Sequence, residues 1–154
     1  MEDGAFADGP PGAVLFLCTR NAIRSPMAAE LMRMQFGPLV RVHSAGIRPA
    51  EEVDSLAVQV MDEKGCDLTI HRPGAVEAID EDEPPFDLIV SLSPEAHHRA
   101  LDLVPRLAAE AEYWPTFDPS LAEGSREQRL MEYRLVRDGL ERKITARFPR
   151  PSTG

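Results

Sequence analysis

The stretch Val14-Leu15-Phe16-Leu17-Cys18-Thr19-Arg20-Asn21-Ala22-Ile23-Arg24-Ser25 decides the fold of this chain. Its four leading apolar residues predict a buried strand. An apolar helical spacing then runs from Met27 to Phe36, and Gly37-Pro38 ends it. Residues 18–24 are therefore expected to form a loop between a strand and the N-terminus of a helix. Backbone N–H groups in such a loop form a concave nest that binds anions.

The side chains of this loop suit a nucleophile held beside an oxyanion. A cysteine at a helix N-terminus next to a guanidinium is favoured as the reactive thiolate. Arg24 carries a planar fork that can hold two oxygens of a tetrahedral anion. Ser25 is placed either to cap the helix or to hydrogen-bond the sulfur, and Pro26 suits the first helical turn. The simpler alternative is a structural cysteine at the end of a strand, but the strand, loop and helix context favours an oxyanion site.

Beyond the loop, the sequence alternates between predicted strands and helices. Strands are predicted at 14–17, 40–43, 87–91 and 112–114, and helices at 25–36, 53–64, 94–104 and 125–147. This order predicts an α/β domain of three layers around a doubly wound parallel sheet. Such sheets bind ligands beyond the carboxyl ends of their strands, where Cys18 is expected. Apolar residues at helical spacing predict that the last helix packs on the core through Tyr133, Val136, Leu140, Ile144 and Phe148.

Length and composition predict one domain at 13–148, with a flexible leader at 1–12 and a flexible tail at 149–154. No apolar stretch approaches the length of a membrane span, and the first residues lack the features of a secretory signal. Two cysteines are too few for a disulfide framework, and a nucleophilic thiol needs a reducing compartment. We therefore expect a cytoplasmic protein without a membrane partner.

The formal net charge of −9 argues against nucleic acid as a partner, because backbone phosphates require a basic face. Arg20 and Arg24 are a local exception in this acidic chain, and their field would draw a small anion to the loop. The excess acid elsewhere, including Glu51-Glu52 and the run from Glu77 to Glu83, is interpreted as a solvated face and not as a binding site.

Several motifs, in order, resemble the low-molecular-weight protein tyrosine phosphatases and the arsenate reductases that share their fold. The resemblance extends from about Ala13 to Phe148 and depends on motifs that follow the loop: Ser25-Pro26-Met27-Ala28, Ser44-Ala45-Gly46, Gly65 through His71-Arg72, Phe86-Asp87-Leu88-Ile89 and Asp118-Pro119. It implies a doubly wound sheet of four parallel strands, with the phosphate-binding loop after the first strand.

The resemblance also implies a hydrolase that cleaves phosphate monoesters, including protein phosphotyrosine, through a phosphocysteine, with no metal and no cofactor. Cys18, Arg24 and Asp118 are then the catalytic residues. By itself Asp118-Pro119 also reads as a simple turn, but its place after the fourth strand matches the family's general acid, which Pro119 would stiffen. In the family a serine supports the loop asparagine, here Ser44 and Asn21. The remaining loop residues are predicted to bind a phosphorylated protein, a small phosphate ester, inorganic phosphate or another oxyanion: Thr19, Arg20, Asn21, Ala22, Ile23 and Ser25.

Three positions depart from the family pattern. Arg20 and Ile23 stand where many members have glycine and a second cysteine, and Ser120 stands where many have an aromatic residue that grips a phosphotyrosine ring. Phosphotyrosine is therefore not assured as the substrate. One alternative is an arsenate reductase that uses an external thiol, because Cys66 is the only other cysteine. A second is an inactive oxyanion-binding module.

The remaining candidates carry weaker signals. His71 and Arg72 are about equally consistent with a brace for the loop or the sheet edge and with a surface turn ending at Pro73. The adjacent His97 and His98 on a helix do not form a metal pair. Cys66 is interpreted as a small buried apolar residue.

Overall fold

Four parallel strands form the sheet that carries the loop. The computed structural model describes residues 10–79, 85–107 and 109–149. Its strands are β1 (Ala13–Cys18), β2 (Arg41–Gly46), β3 (Leu88–Ser91) and β4 (Glu110–Tyr113), in the order β2-β1-β3-β4. Its α-helices are α1 (Arg24–Phe36), α2 (Ser55–Asp62), α3 (Pro94–Leu107) and α4 (Arg126–Arg147). The predicted α/β domain with a four-stranded parallel sheet is confirmed.

The sheet is buried on both faces, which explains why β1 is apolar throughout. Val14 and Phe16 face one core with α1, α2 and α4, whereas Leu15 and Leu17 face a second core with α3. Successive side chains of a strand point to opposite faces, so an uninterrupted apolar run is what a central strand between two helical layers requires. The core positions predicted on α4 are all buried.

Several element boundaries differ from those predicted. β2 extends to Gly46, because the pairing with β1 continues until Cys18 lies opposite Gly46. β4 begins at Glu110 and ends at Tyr113, and the side chain of Trp114 packs in the core against Phe16 and Phe148. α3 continues to Leu107, beyond the predicted end at 104. α2 begins later than predicted, at Ser55, because Asp54 caps its first turn, and it ends earlier than predicted, at Asp62.

The N-terminus of α1 corrects one of the alternatives for Ser25. The helix begins at Arg24, its N-cap is Ile23, and no side chain caps it. Ser25 is therefore not the N-cap, and its hydroxyl bonds within the loop instead. An N-terminus without a side-chain cap leaves N–H groups available to a bound anion.

The flexible leader predicted at 1–12 and the tail at 149–154 lie largely outside the described residues. Among the helices that the structure describes, none combines the length and the apolar character needed to cross a membrane.

Candidate active site

The loop at 18–24 is fixed from outside through its carbonyl groups. Four backbone N–H groups of the segment 47–54 donate to these carbonyls over 2.8–3.2 Å, in the pairs Ile47–Cys18, Arg48–Thr19, Ala50–Arg20 and Asp54–Ala22. A peptide unit directs its N–H opposite to its C=O. Carbonyls turned toward this segment therefore leave the loop N–H groups for the concave side, which is the arrangement of an anion nest.

The sulfur of Cys18 lies at the bottom of this loop. The backbone N–H of Asn21 donates to it over 3.2 Å, and the Ser25 hydroxyl lies 2.9 Å away. Because Asn21 Nδ2 donates to Ser25 Oγ over 2.8 Å, the single hydroxyl hydrogen of Ser25 is free to point at the sulfur. Two donors on one sulfur stabilise a thiolate, both as a nucleophile and as a leaving group.

Asn21 is the residue on which the loop conformation depends. Its φ of 54° is in the left-handed region, which asparagine tolerates better than most residues. Its side-chain nitrogen donates to Ser44 Oγ over 3.0 Å, the support that the family resemblance implied. Its side-chain oxygen accepts from the N–H of Gly74 over 2.9 Å.

His71 braces the same residue from the other side. Its Nε2 lies 2.9 Å from the carbonyl oxygen of Asn21. This contact favours the interpretation of His71 as a brace for the loop over that of a surface turn. Burial lowers the pKa of His71 below its ordinary value of 6.5, and this effect outweighs the contact with the Asn21 carbonyl, which acts in the opposite direction. Arg72 is exposed.

The end of β2 approaches the loop so closely that only glycine fits. A Cβ added at Gly46 would lie 2.9 Å from the Cβ of Asn21 and 3.0 Å from the carbonyl carbon of Arg20. The absence of a side chain at Gly46 therefore allows the loop to lie against the sheet.

Arg24 and Asp118 approach each other across the site. The buried Arg24 donates from Nη1 to the carbonyl of Thr116 over 3.0 Å, which orients its fork. Its Nη2 lies 3.9 Å from Asp118 Oδ2. The other carboxylate oxygen, Oδ1, accepts from the N–H and the hydroxyl of Ser120 over 3.0 and 2.7 Å. The side chain of Asp118 is 28% exposed, so it is accessible from the cavity.

These groups share one open cavity of about 310 Å³. Among the described residues its lining contains no aromatic side chain and consists of Cys18, Arg20, Ala22, Ile23, Arg24, Ala50, Glu52, Asp54, Asp118 and Ser120. Both carboxylate oxygens of Asp54 already accept hydrogen bonds within the protein: Oδ1 caps α2, and Oδ2 accepts from the Tyr133 hydroxyl. Glu52 is exposed and has no hydrogen-bond or ion-pair partner among the described residues. The wall around the anion cradle therefore presents the carboxylates of Glu52 and Asp118 beside the guanidinium of Arg20.

The six predicted substrate-binding residues divide into two groups: Arg20, Ala22 and Ile23 are among the lining residues, whereas Thr19, Asn21 and Ser25 are not. Arg20 is exposed at the cavity, as its predicted role requires. Thr19 does not line the cavity with its side chain, because its hydroxyl donates to Ser93 Oγ over 3.0 Å. Ser93 in turn accepts from the N–H of Ala96 near the start of α3. The Thr19 side chain therefore links the loop to the start of α3.

The side chains outside the site have structural partners. His97 stacks on Tyr113 with ring centroids 4.5 Å apart, and no cluster of three metal-ligating side chains occurs among the described residues. Cys66 is buried, as predicted, and its thiol lies 3.7 Å from a Glu30 carboxylate oxygen. Burial, with the nearby negative charge of Glu30, raises the pKa of Cys66 to about 11. The sequence analysis assigned Glu52 to a solvated face, whereas the structure places it in the cavity lining. It did not indicate Asp54 or Thr116, although an aspartate directly before an apolar helix, as at Asp54, is a recognisable cap signal.

Comparisons with known proteins agree with this geometry. The family model for low molecular weight phosphotyrosine protein phosphatase matches residues 13–148. An arsenate reductase from Halalkalibacterium halodurans is 33% identical over 133 residues, covering 85% of this chain and 91% of the relative. A protein-arginine-phosphatase from Geobacillus stearothermophilus is 36% identical over 104 residues, covering 60% of this chain and 70% of the relative. The solved structure of the YwlE arginine phosphatase from that organism superposes with a TM-score of 0.70 at 27% identity, covering 87% of this chain and 88% of that one.

Proposed function

Because the chain belongs to the low-molecular-weight phosphotyrosine protein phosphatase family, we propose that it hydrolyses phosphate monoesters through a phosphocysteine on Cys18. The observation that supports this most directly is the convergence of Cys18, Arg24 and Asp118 on one cavity. A nucleophile, an oxyanion clamp and a proton donor are the groups that such a reaction needs.

In the first step, the Cys18 thiolate attacks phosphorus, so an S–P bond forms as the bond to the leaving oxygen breaks. Asp118 gives its proton to that oxygen as negative charge develops there. Arg24 and the loop N–H groups hold the equatorial oxygens of the phosphoryl group and stabilise the charge in the transition state. The Ser25 hydroxyl stabilises the sulfur.

In the second step, Asp118 accepts a proton from a water molecule that attacks phosphorus. The S–P bond breaks, inorganic phosphate forms, and the thiolate is restored with its two donors, Asn21 N–H and Ser25 Oγ. Asp118 is protonated again and ready for the next cycle. This chemistry requires a reduced thiol, which supports the cytoplasmic location expected from the sequence.

The carboxylates in the cavity wall indicate which kind of phosphorylated group the cavity would bind. A phosphotyrosine ring would find no aromatic side chain among the lining residues, and it would lie beside the carboxylates of Glu52 and Asp118. A positively charged carrier would be attracted by the same carboxylates. We therefore favour a phosphorylated guanidinium, as in protein phosphoarginine, over phosphotyrosine. This substrate is a phosphoramidate, so in the first step the P–N bond breaks as the S–P bond forms, and Asp118 gives its proton to the leaving guanidinium nitrogen. The arginine phosphatase among the relatives is consistent with this choice.

Arsenate reduction is the second candidate, because relatives covering most of the chain carry that name. Cys18 would attack arsenic(V), so that an S–As bond forms as one As–O bond breaks and its oxygen leaves as water. An external thiol would then attack the Cys18 sulfur, so that a mixed disulfide forms and arsenite leaves with the two electrons. Cys66 is a poor source of that thiol, because it is buried and its raised pKa of about 11 keeps it protonated.

One reduced sample distinguishes the two functions. Hydrolysis of 4-nitrophenyl phosphate without added thiol or metal, lost in Cys18→Ser, would support the phosphatase. Arsenite production that depends on glutathione or another added thiol, also lost in Cys18→Ser, would support the reductase if it exceeds hydrolysis in kcat/KM. The absence of both activities from folded, reduced protein would leave the inactive oxyanion-binding module.

A further inference from the structure

We propose that Ser120 is a positioning residue for the acid at Asp118, and that its hydroxyl determines which carboxyl oxygen carries the transferred proton. The proposal rests on the proposed phosphatase function. Ser120 stands where many family members have an aromatic residue, so the loss of an aromatic wall would coincide with the gain of a hydrogen bond to the acid.

The contacts of Asp118 are divided unevenly between its two oxygens. Oδ1 accepts from both the N–H and the hydroxyl of Ser120, over 3.0 and 2.7 Å. Oδ2 has neither of these donors and lies 3.9 Å from Arg24 Nη2, on the side of the phosphate clamp. Both Asp118 and Ser120 line the cavity.

This uneven division indicates which oxygen of Asp118 carries the acidic hydrogen. In a protonated carboxyl group, one oxygen carries the hydrogen and donates, while the other is the better acceptor. An oxygen that already accepts two hydrogen bonds is held as the acceptor, so the acidic hydrogen belongs on Oδ2. That oxygen faces Arg24, beside which the phosphoryl group and its leaving oxygen would bind.

The same bonds remain useful after the proton has left. Once Asp118 is ionised, the two bonds from Ser120 become charge-assisted and hold the carboxylate in the same rotamer. Oδ2 is then the oxygen that accepts a proton from the attacking water. The carboxyl group can serve both steps without rotating.

The hydrogen bond from the Ser120 hydroxyl to Asp118 is not needed to form the turn at 118–121. Asp118 is the N-cap of the short 3₁₀-helix Pro119–Leu121, and the N–H of Ser120 alone satisfies that cap. The Ser120 hydroxyl is an additional donor on the same oxygen, and it can be removed without removing the cap. Ser120→Ala therefore tests the position of the acid and leaves the turn intact.

The test measures kcat/KM, which reports the step that expels the leaving group, with phenyl phosphate and with 4-nitrophenyl phosphate. Phenolate is the poorer leaving group and depends more on the acid. We expect Ser120→Ala to lower kcat/KM about tenfold for phenyl phosphate and less than about threefold for 4-nitrophenyl phosphate. Both losses are smaller than the full contribution of a general acid, because Asp118 itself remains. Ser120→Thr, which keeps the hydroxyl, should restore both values.

A double-mutant cycle with Asp118→Asn separates positioning from general disturbance. Without an acid to position, Ser120→Ala should change kcat/KM by less than about twofold in the Asp118→Asn background. Leu121→Ala, an exposed apolar change in the same turn, should leave both substrates unaffected. Inhibition by inorganic phosphate should be equal in wild type and Ser120→Ala if the cradle is intact.

Equal losses on the two substrates, or the same loss in the Asp118→Asn background, would overturn the proposal and leave the phosphatase function standing. If wild-type protein forms no phosphocysteine and hydrolyses neither substrate, the proposed function fails, and the role of Ser120 fails with it.

Discussion

The sulfur of Cys18 lies 2.9 Å from the hydroxyl oxygen of Ser25, and Asn21 Nδ2 donates to that same oxygen. The Asn21 contact uses a lone pair of Ser25 Oγ and leaves its hydrogen for the sulfur. The geometry of the loop therefore fixes the direction of the hydroxyl as well as its position. A donor that points at sulfur matters most when the sulfur is charged, which is before attack and when the phosphocysteine breaks down.

Ser25→Ala removes this donor and should reduce kcat for 4-nitrophenyl phosphate about tenfold, the usual effect of losing a hydrogen bond to a charged group. Binding of inorganic phosphate should change little, because the loop N–H groups and Arg24 remain. Rapid-quench measurement should show a larger share of phosphocysteine at steady state. An unchanged kcat would show that the hydroxyl does not stabilise the thiolate.

Gly46→Ala tests the contact between β2 and the loop. The new Cβ would lie 2.9 Å from the Cβ of Asn21, so the loop must shift, and overpacking of this kind costs about 1–3 kcal/mol. We expect a lower urea midpoint together with a loss of activity larger than the fraction unfolded explains. Gly139→Ala on α4 is the control, because its Cβ would meet only a side-chain nitrogen of Arg142 at 3.8 Å. Full activity in Gly46→Ala would contradict the close fit.

His71 should make stability depend on pH in a defined direction. Its pKa in the folded protein lies below 6.5, so the unfolded chain takes up a proton first as the pH falls. The contribution of His71 is therefore complete above about pH 6.5 and declines as the pH falls through the folded pKa. Urea unfolding between pH 8 and pH 5 should show a shallower decline in His71→Gln than in wild type. Parallel pH profiles of the two proteins would refute this assignment.

Glu52 tests the preference for a cationic carrier. Glu52→Gln should lower kcat/KM for a phosphoarginine peptide by about three- to fivefold, the range expected for one exposed charge interaction. The value for phenyl phosphate should stay the same or rise. Glu52→Lys should enlarge the difference, and added salt should reduce it. Equal effects on both substrates would argue against selection by charge at this wall.

A site residue could be predicted from the sequence when the residues it contacts lie close to it along the chain. Cys18, Arg24 and Ser25 lie within eight residues, so strand, loop and helix signals located them together. Asp118 was located by resemblance to the family, because nothing in Asp-Pro alone distinguishes an acid from a turn. Ser44 was reached in the same way.

Other contacts depend on separations that no local pattern encodes. The bond from Arg24 to the Thr116 carbonyl joins residues 92 positions apart, and that from His71 to Asn21 spans 50. Glu52 reaches the cavity because backbone bonds from Ala50 and Asp54 draw its segment along the loop. The end of β2 was also misjudged at Ser44, because Ser44 is a half-buried polar residue whose place in the strand is fixed by pairing with β1 and not by hydrophobicity.

The central claim is that Cys18 carries the phosphoryl group, and mass spectrometry of acid-quenched protein tests it most directly. After mixing with 4-nitrophenyl phosphate, wild-type protein should show one added phosphoryl group on the peptide that contains Cys18. The modified fraction should rise in Asp118→Asn if breakdown of the intermediate becomes limiting, and Cys18→Ala should show none. Hydrolysis that proceeds with no phosphoryl group on Cys18, or undiminished turnover in Cys18→Ala, would contradict the account.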